Sequence, residues 1–319
     1  MKKGILLVAN KKSQNMCVNL IYSIRKSGCK LPIKLVHFGG EKINSQYIMS
    51  ETEFLVFDDF PEEAQNFVKN LRSILTDCPN GYLYRFLGWF IMEWDEFLYS
   101  DNDIVALCNW TDLFEYINDS DLLSADEEYT TEGRFNYDQP MEIKQIFGED
   151  VLLSAFTAGH FIARKTNKMI EDMIKAVEWF KNNPNIAKQH DQALLHVASL
   201  IGKWKIVNLC KPPYYWLSSW SGDYTNTLDL ILNMNSNKEL KRISHIHYSG
   251  GNPTGTRPIE ELLYSSLSDM KRVQKLFYVC LSRLIGILFV KKYKKKSKTK
   301  IKNYLKILYN ITNQLICKR

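Results

Sequence analysis

The order of apolar and amphipathic segments at the start of the chain constrains its fold most strongly. Gly4–Ala9 is an apolar run typical of a buried strand, and Leu31–Phe38 is a second one. Between them, Asn15–Ser27 carries apolar residues at helical spacing and is followed by Gly28, a common helix-ending residue. A strand, a helix and a strand form a βαβ unit, in which the two strands are parallel. The sequence therefore predicts a parallel sheet covered by helices on both faces.

The same alternation continues along the chain. Further strands are predicted at Glu53–Phe57, Glu96–Ser100, Leu122–Ala125, Phe156–Ala163 and Trp204–Leu209. Further helices are predicted at Glu62–Leu75, Tyr82–Met92, Asn167–Asn182 and Asp191–Ile201. We therefore expect one α/β domain with a mostly parallel central sheet over residues 1–269, followed by a separate tail over residues 270–319.

Charge is distributed unevenly between the two parts. The 319-residue chain has 42 Lys plus Arg and 35 Asp plus Glu, which gives a net charge of +7. From Lys271 to Arg319 there are 15 basic and no acidic residues, so the preceding part holds 27 basic and 35 acidic residues. An acidic body argues against nucleic acid as a partner, whereas the basic tail favours an anionic partner of its own.

The tail has the pattern of a membrane-surface anchor. Leu276–Val290 is strongly apolar, but it contains Arg283 and is shorter than the roughly 20 residues that span a bilayer. The lysine-rich segment Lys291–Lys296 would attract anionic lipid, and Ile301–Ile316 has apolar residues at helical spacing. We expect a basic amphipathic helical tail on an anionic membrane. A solvated tail, or a helix packed on the body or on another subunit, is the alternative.

Cysteine usage and the amino-terminal segment indicate a compartment. The 7 cysteines include no CxxC pair, which argues against a zinc ribbon or a thioredoxin-type site and is typical of a reducing compartment. The apolar run Ile5–Ala9 is too short for the core of a signal peptide. We therefore expect a cytoplasmic protein that associates peripherally with the inner face of the cell membrane.

Two aspartates directly after a predicted strand are the strongest chemical signal. Asp101 and Asp103 follow Glu96–Ser100, so both carboxylates should lie at the carboxyl edge of the sheet and point to the same side. Close carboxylates repel each other unless a cation joins them, and Mn²⁺ or Mg²⁺ shared with substrate phosphates is the usual solution. The alternative is a solvated loop pair.

A histidine pair near a glycine-rich turn is a second signal. His245 and His247 precede Gly250 and Gly251, and a neutral imidazole is a good ligand for Mn²⁺. Because both side chains would lie on the same side of an extended segment, spacing alone does not choose between them. A structural role beside the turn is the alternative for either histidine.

Several short motifs occur in a recognisable order. They are Ala9-Asn10, Tyr84-Arg85-Phe86, Leu98-Tyr99-Ser100-Asp101-Asn102-Asp103, Phe156-Thr157-Ala158-Gly159, His190-Asp191-Gln192 and His247-Tyr248-Ser249-Gly250. This series resembles the GT-A fold glycosyltransferases, especially glycosyltransferase family 8. The resemblance implies transfer of a hexose from a nucleotide sugar, commonly a UDP-hexose, with retention of configuration and with Mn²⁺.

The resemblance also implies roles for individual residues. The implied metal ligands are Asp101, Asp103 and His247. The implied donor contacts are Ala9, Asn10, Arg85, Asn102, Thr157, Ala158 and Gly250, with Thr157 and Ala158 facing the sugar. Asp191 and Gln192 would lie close to the reacting carbon. On chemical grounds, Arg257 or Lys211 is a candidate to stabilise the leaving diphosphate beside the metal, and a solvated surface cation is the favoured alternative for each.

Two features of the reaction stay open at this point. Asp191 is either a carboxylate nucleophile or a helix N-cap, and in the second case retention would follow from front-face attack. The aromatic residues Tyr214, Tyr215, Trp216 and Trp220 either stack on an acceptor sugar or pack inside the protein.

The predicted function is a hexosyltransferase that acts on a glycan or glycolipid acceptor in bacterial surface polysaccharide or lipopolysaccharide synthesis. Two alternatives are a metal-dependent phosphohydrolase or nucleotidyltransferase, and a degenerate sugar-binding scaffold. No P-loop or GxSxG motif supports the first of them.

Overall fold

The computed structural model describes residues 1–125, 134–224 and 242–249, which form an α/β structure. Its strands are β1 (Lys3–Ala9), β2 (Ile33–His37), β3 (Glu53–Leu55), β4 (Glu96–Ser100), β5 (Ile104–Ala106), β6 (Leu122–Ser124), β7 (His160–Arg164), β8 (Ile206–Asn208) and β9 (His245–His247). The α-helices are Gln14–Lys26, Gln46–Glu51, Glu62–Ile74, Asn80–Leu83, Trp110–Leu113, Pro140–Phe147, Asn167–Asn182 and Asp191–Gly202. The 3₁₀ helices are Phe57–Asp59, Tyr84–Phe90, Glu149–Ser154 and Ser221–Asp223.

Seven of these strands form the central sheet in the order β3-β2-β1-β4-β7-β6-β8. The neighbours from β3 to β4 are parallel, as are β6 and β8, whereas β7 is antiparallel to both β4 and β6. The mostly parallel sheet predicted from the sequence is therefore confirmed.

Helices cover both faces of this sheet. In β1, Ile5 and Leu7 pack toward the helix Gln14–Lys26, whereas Leu6 and Val8 belong to the cluster on the opposite face. The cluster that contains Leu6 and Val8 also includes apolar residues of the helices Glu62–Ile74, Asn167–Asn182 and Asp191–Gly202. Because β1 is apolar on both sides, it fits only the interior of a sheet covered on both faces.

The carboxyl ends of β1 and β4 meet at one edge of the sheet. The strands are parallel, with Leu7 opposite Ser100, so the segments that follow them leave the sheet side by side. Asn10 follows β1, and Asp101 follows β4. In open α/β sheets this edge is where ligands bind.

A second, two-stranded sheet adds a late segment of the chain to this edge. In the antiparallel pair of β5 and β9, Ile104 lies opposite His247 and Ala106 opposite His245. The sequence did not predict this sheet, because strands of three residues carry no usable periodicity.

Two predicted elements differ most from the structure, and the predicted strands Glu53–Phe57 and Trp204–Leu209 are shorter, at Glu53–Leu55 and Ile206–Asn208. The predicted α-helix Tyr82–Met92 is the end of a short α-helix followed by the 3₁₀ helix Tyr84–Phe90. Every residue of that 3₁₀ helix is buried, so its sequence has no amphipathic stripe. The predicted strand Phe156–Ala163 begins only at His160, because the residues before it form a loop at the site.

Several predictions lie outside the described residues. They concern Gly250, Arg257, the boundary at residue 269 and the tail over residues 270–319. Within the described part of the chain, no helix is long and apolar enough to cross a membrane.

Candidate active site

A cleft of about 880 Å³ opens at the carboxyl edge of β1 and β4. The residues singled out from the sequence that line it are Asn10, Arg85, Asp101, Asn102, Asp103, Thr157, Asp191, Gln192 and His247. Ala9 and Ala158 are buried behind the surface of the cleft. Lys211 is not part of the lining and donates to the carbonyl of Leu153. Among the four aromatic candidates, Trp220 lines the cleft.

Asp101, Asp103 and His247 form a group of potential metal ligands. One ligand atom from each residue lies within 4.8 Å of those of the other two. The Nε2 atom of His247 is 3.4 Å from Oδ1 of Asp103 and 3.9 Å from Oδ2 of Asp101. Two carboxylates and an imidazole suit Mn²⁺ or a similar divalent ion. The donor set at this point of the cleft therefore fits a metal.

Gly159 lets these side chains approach each other. A Cβ atom on Gly159 would lie 2.3 Å from Cε1 of His247 and 3.0 Å from Oδ2 of Asp101. The carbonyl of Gly159 also accepts a hydrogen bond of 2.7 Å from the Asp101 amide. The position leaves no room for a side chain while the three ligands keep this arrangement.

His245 does not belong to the metal-ligand group. It is fully buried, its ring centre lies 3.9 Å from that of His160, and its Nδ1 atom is 2.7 Å from Oγ of Ser244. Burial lowers the pKa of His245 well below its usual range, so it packs as a neutral ring. Of the two histidines, His247 faces the metal-ligand group.

Arg85 forms ion pairs with Asp101, which follows β4, and with Asp191, which begins a helix. It is buried, and its guanidinium lies 3.0 Å from Oδ2 of Asp191 and 3.3 Å from Oδ1 of Asp101. It also donates to the carbonyl of Ala158. Burial acts against the charge of Arg85, but Asp191 and its other neighbours raise its pKa overall. Arg85 therefore stays cationic and fixes both carboxylates.

Asp101 is held from a second side by Tyr99. The phenol of Tyr99 donates a 2.6 Å hydrogen bond to Oδ1 of Asp101. Burial nevertheless raises the pKa of Asp101, while Arg85 acts in the opposite direction. Burial disfavours the ionised form of such a carboxylate, and a cation that binds beside it stabilises that form.

Asp191 and Gln192 begin a helix at the wall of the cleft. His190 is the N-cap, and its Nδ1 atom accepts from the amide of Ala193 at 3.2 Å. The N-cap alternative for Asp191 is therefore wrong, since its carboxylate instead pairs with Arg85. Gln192 accepts a hydrogen bond from the amide of Ala158 at 3.2 Å.

Asn10 and Asn102 lie at the end of the cleft beside β1. The backbone amide of Asn10 donates to Oγ of Ser13, and the Asn10 side chain accepts from the amide of Ser13, both at 3.0 Å. Asn102 donates to the carbonyl of Val8 at 2.7 Å. Asn102 also donates to Oγ of Ser13 at 3.4 Å, so it ties the loop after β4 to the end of β1 and to the loop that follows it.

Known proteins show similarity to this chain. A mannosyltransferase family model matches residues 2–118. Among solved structures, the bifunctional glycosyltransferase WbbM has a TM-score of 0.55 at 12% identity, over 86% of this chain and 51% of WbbM. The galactosyltransferase LgtC with donor and acceptor sugar analogues gives 0.50 at 18% identity, over 78% of this chain and 87% of LgtC. Mouse xyloside xylosyltransferase 1 gives 0.52 at 11% identity, over 79% and 99%.

The chain has the GT-A glycosyltransferase fold. It spans about half the length of WbbM. The family model covers residues 2–118, and these structures show the fold, so the GT-A fold implied by the resemblance is confirmed. The comparison with curated proteins gives no match.

Three residues of the GT-A site were not proposed from the sequence. Gly159 and Tyr99 stand inside the motifs that carry the resemblance, so their positions were visible but their contacts were not. Asn136, which accepts a hydrogen bond from Gln192, lies in a segment with no motif and gave no signal.

Proposed function

We propose that this protein is a metal-dependent glycosyltransferase that moves a hexose from a nucleotide sugar, UDP-hexose in the first instance, with retention of configuration. The observation that carries the proposal is the group of Asp101, Asp103 and His247, which lines a cleft in a GT-A fold. The acceptor that we propose is a glycan or glycolipid of the bacterial surface.

In this proposal, Asp101, Asp103 and His247 hold Mn²⁺ or Mg²⁺. When bound, the ion supplies Lewis-acid stabilisation of the diphosphate as the glycosidic bond breaks. The protein's own part is preorganisation, because Arg85 and Tyr99 fix the Asp101 carboxylate before substrate arrives. Asn10 and Asn102 border the cleft beside β1, and we assign the nucleotide to that end.

The environment of Asp191 favours front-face attack over a covalent intermediate. Oδ2 of Asp191 is paired with buried Arg85 at 3.0 Å, and Oδ1 lies 3.9 Å from the thiol of Cys78. A carboxylate that is neutralised by a fixed guanidinium is a poor nucleophile. We therefore assign Asp191 to orienting Arg85 and leave the proton of the acceptor to the departing phosphate.

The test is release of nucleoside diphosphate from a panel of nucleotide hexoses, UDP-glucose, UDP-galactose and GDP-mannose, in the presence of Mn²⁺. A transferase hydrolyses its own donor slowly and selectively, and that donor raises the apparent melting temperature. A phosphohydrolase would release inorganic phosphate or nucleoside monophosphate instead. A sugar-binding scaffold would show donor binding without release. The clue for it is that Thr157-Ala158 stands where glycosyltransferase family 8, which the sequence resembles, has an Asn-Ser pair facing the sugar.

We also propose that residues 1–269 are the catalytic domain and that residues 270–319 bind anionic lipid at the inner face of the cell membrane. The support is the count of 15 basic and no acidic residues from Lys271 onward. A membrane position would bring the cleft to a lipid-linked acceptor.

A further inference from the structure

The helix Asp191–Gly202 holds two segments of the site together through one side chain. Oε1 of Gln192 accepts from the backbone amide of Ala158 at 3.2 Å. Nε2 of the same carboxamide donates to Oδ1 of Asn136 at 3.1 Å. Gln192 thus bridges the loop that precedes β7 and the segment around Asn136.

The orientation of both amides follows from the one group whose direction is fixed. A backbone N–H can only donate, so the oxygen of Gln192 must face Ala158. Its nitrogen then faces Asn136, which must present its own oxygen because two NH₂ groups would repel each other. Rotation of either side-chain amide by half a turn breaks at least one of these two hydrogen bonds.

Asn136 is itself held rigidly. It is fully buried, and its carbonyl accepts from the amide of Lys188 at 2.9 Å. The next residue, Tyr137, forms an antiparallel bridge with Ala187. The backbone of Asn136 therefore cannot follow Gln192 if the carboxamide of Gln192 turns.

The Asn136 side chain is expensive to bury. Its Nδ2 atom has no hydrogen-bond partner among the described residues and almost no contact with solvent. An unsatisfied buried donor costs about 1–3 kcal/mol, which an apolar side chain of the same size would avoid. The hydrogen bond that Oδ1 of Asn136 accepts from Gln192 explains why a polar side chain occupies this position.

We propose that Asn136 is a positioning residue that holds the Gln192 carboxamide in the orientation selected by the Ala158 amide, at the wall of the donor-sugar subsite. This rests on the proposed function. By accepting a hydrogen bond from Nε2 of Gln192, Asn136 limits rotation of this carboxamide and keeps its polar atoms in one arrangement at the cleft where the hexose binds. Asn136 lies outside the cleft lining that holds Asp101, Asp103 and His247, so we expect metal and diphosphate binding to change little when it is replaced.

The experiment compares donor hydrolysis by wild type, Asn136→Leu, Gln192→Ala and the double variant, with Mn²⁺ and the best nucleotide hexose of the panel. Leucine has the same branching as asparagine and removes the acceptor oxygen without opening a cavity, although it is larger, so Asn136→Ala is measured beside it. We expect kcat to fall about 10- to 100-fold in Asn136→Leu. KM for the donor and the affinity for Mn²⁺ should stay near the wild-type values. The double variant should be no slower than Gln192→Ala, because both changes remove one interaction.

Tyr137→Phe is the matched control. The phenol of Tyr137 bonds to Nδ1 of His196 at 2.8 Å, on the same helix as Gln192 but one turn further along. Its loss should lower thermal stability and leave kcat of the folded protein unchanged. If Asn136→Leu is obtained only unfolded, Asn136→Ala serves as the second variant.

The outcomes separate this proposal from the proposed function. Wild-type kcat in a folded Asn136 variant, or losses that multiply in the double variant, would overturn the role of Asn136 alone. A parallel loss of kcat in Tyr137→Phe would show a structural effect and overturn it too. Wild-type protein that releases no nucleoside diphosphate from any donor would overturn the proposed function and this inference with it.

Discussion

Gly159→Ala perturbs the metal-ligand group without removing a ligand. The new Cβ atom would lie 2.3 Å from Cε1 of His247, whereas carbon atoms in contact are normally at least about 3.5 Å apart. The imidazole must therefore move by roughly 1 Å. Metal–ligand distances tolerate only about 0.2 Å, so a shift of this size displaces Nε2 from a coordinating position.

We expect the affinity of Gly159→Ala for Mn²⁺ to fall about 10- to 100-fold, which is about 1.4–2.7 kcal/mol of binding free energy. The free energy of unfolding should fall by about 1–3 kcal/mol, the usual cost of overpacking. Titration calorimetry with Mn²⁺ measures the first, and urea unfolding the second.

Gly40→Ala is the control, since a Cβ atom on Gly40 would meet nothing within 4 Å. It should bind Mn²⁺ like the wild type. Wild-type affinity in a folded Gly159→Ala protein would refute the reasoning, because the ligands would then tolerate the atom that their arrangement excludes.

Three further predictions concern other parts of the chain. His247→Ala should abolish Mn²⁺ binding in calorimetry, whereas His245→Ala should mainly lower the melting temperature; the reverse order would show that the wrong histidine was chosen. Burial holds the pKa of His196 at about 3, so the unfolded chain binds the proton first and stability falls as pH drops below about 6.5. Between pH 7.5 and pH 5, the free energy of unfolding measured with urea should therefore fall by about 2 kcal/mol less in His196→Gln than in wild type. Parallel pH profiles of the two proteins would contradict this. Truncation after Asp269 should preserve donor hydrolysis and abolish binding to anionic liposomes, and equal liposome binding by both proteins would exclude the anchor.

The elements that surround the Asp-x-Asp motif were predictable from the sequence. Glu96–Ser100 was predicted with the bounds that the structure shows, because its apolar run stops abruptly at Asp101. The helix Asn167–Asn182 was also predicted with its observed bounds, since its apolar stripe follows a Thr N-cap. Strong local patterns were sufficient for these elements.

The contacts that complete the site were not predictable. His247 reaches Asp103 through the pairing of β5 and β9, which joins segments far apart in the chain. The hydrogen bond between Gln192 and Asn136 depends on how a helix packs on a segment without a motif. Spacing along one sequence describes local geometry, and such long-range contacts are set only by tertiary packing.

The measurement that tests the central claim most directly is nucleoside diphosphate release from the preferred nucleotide hexose by metal-free protein, titrated with Mn²⁺. Wild type should be inactive in EDTA and recover with Mn²⁺, whereas Asp103→Ala should stay inactive at every Mn²⁺ concentration while remaining folded. Asp119→Ala, which changes an exposed carboxylate outside the cleft, should behave like wild type. Full release in EDTA, or recovery of Asp103→Ala at wild-type Mn²⁺ concentrations, would contradict a metal site built from Asp101, Asp103 and His247.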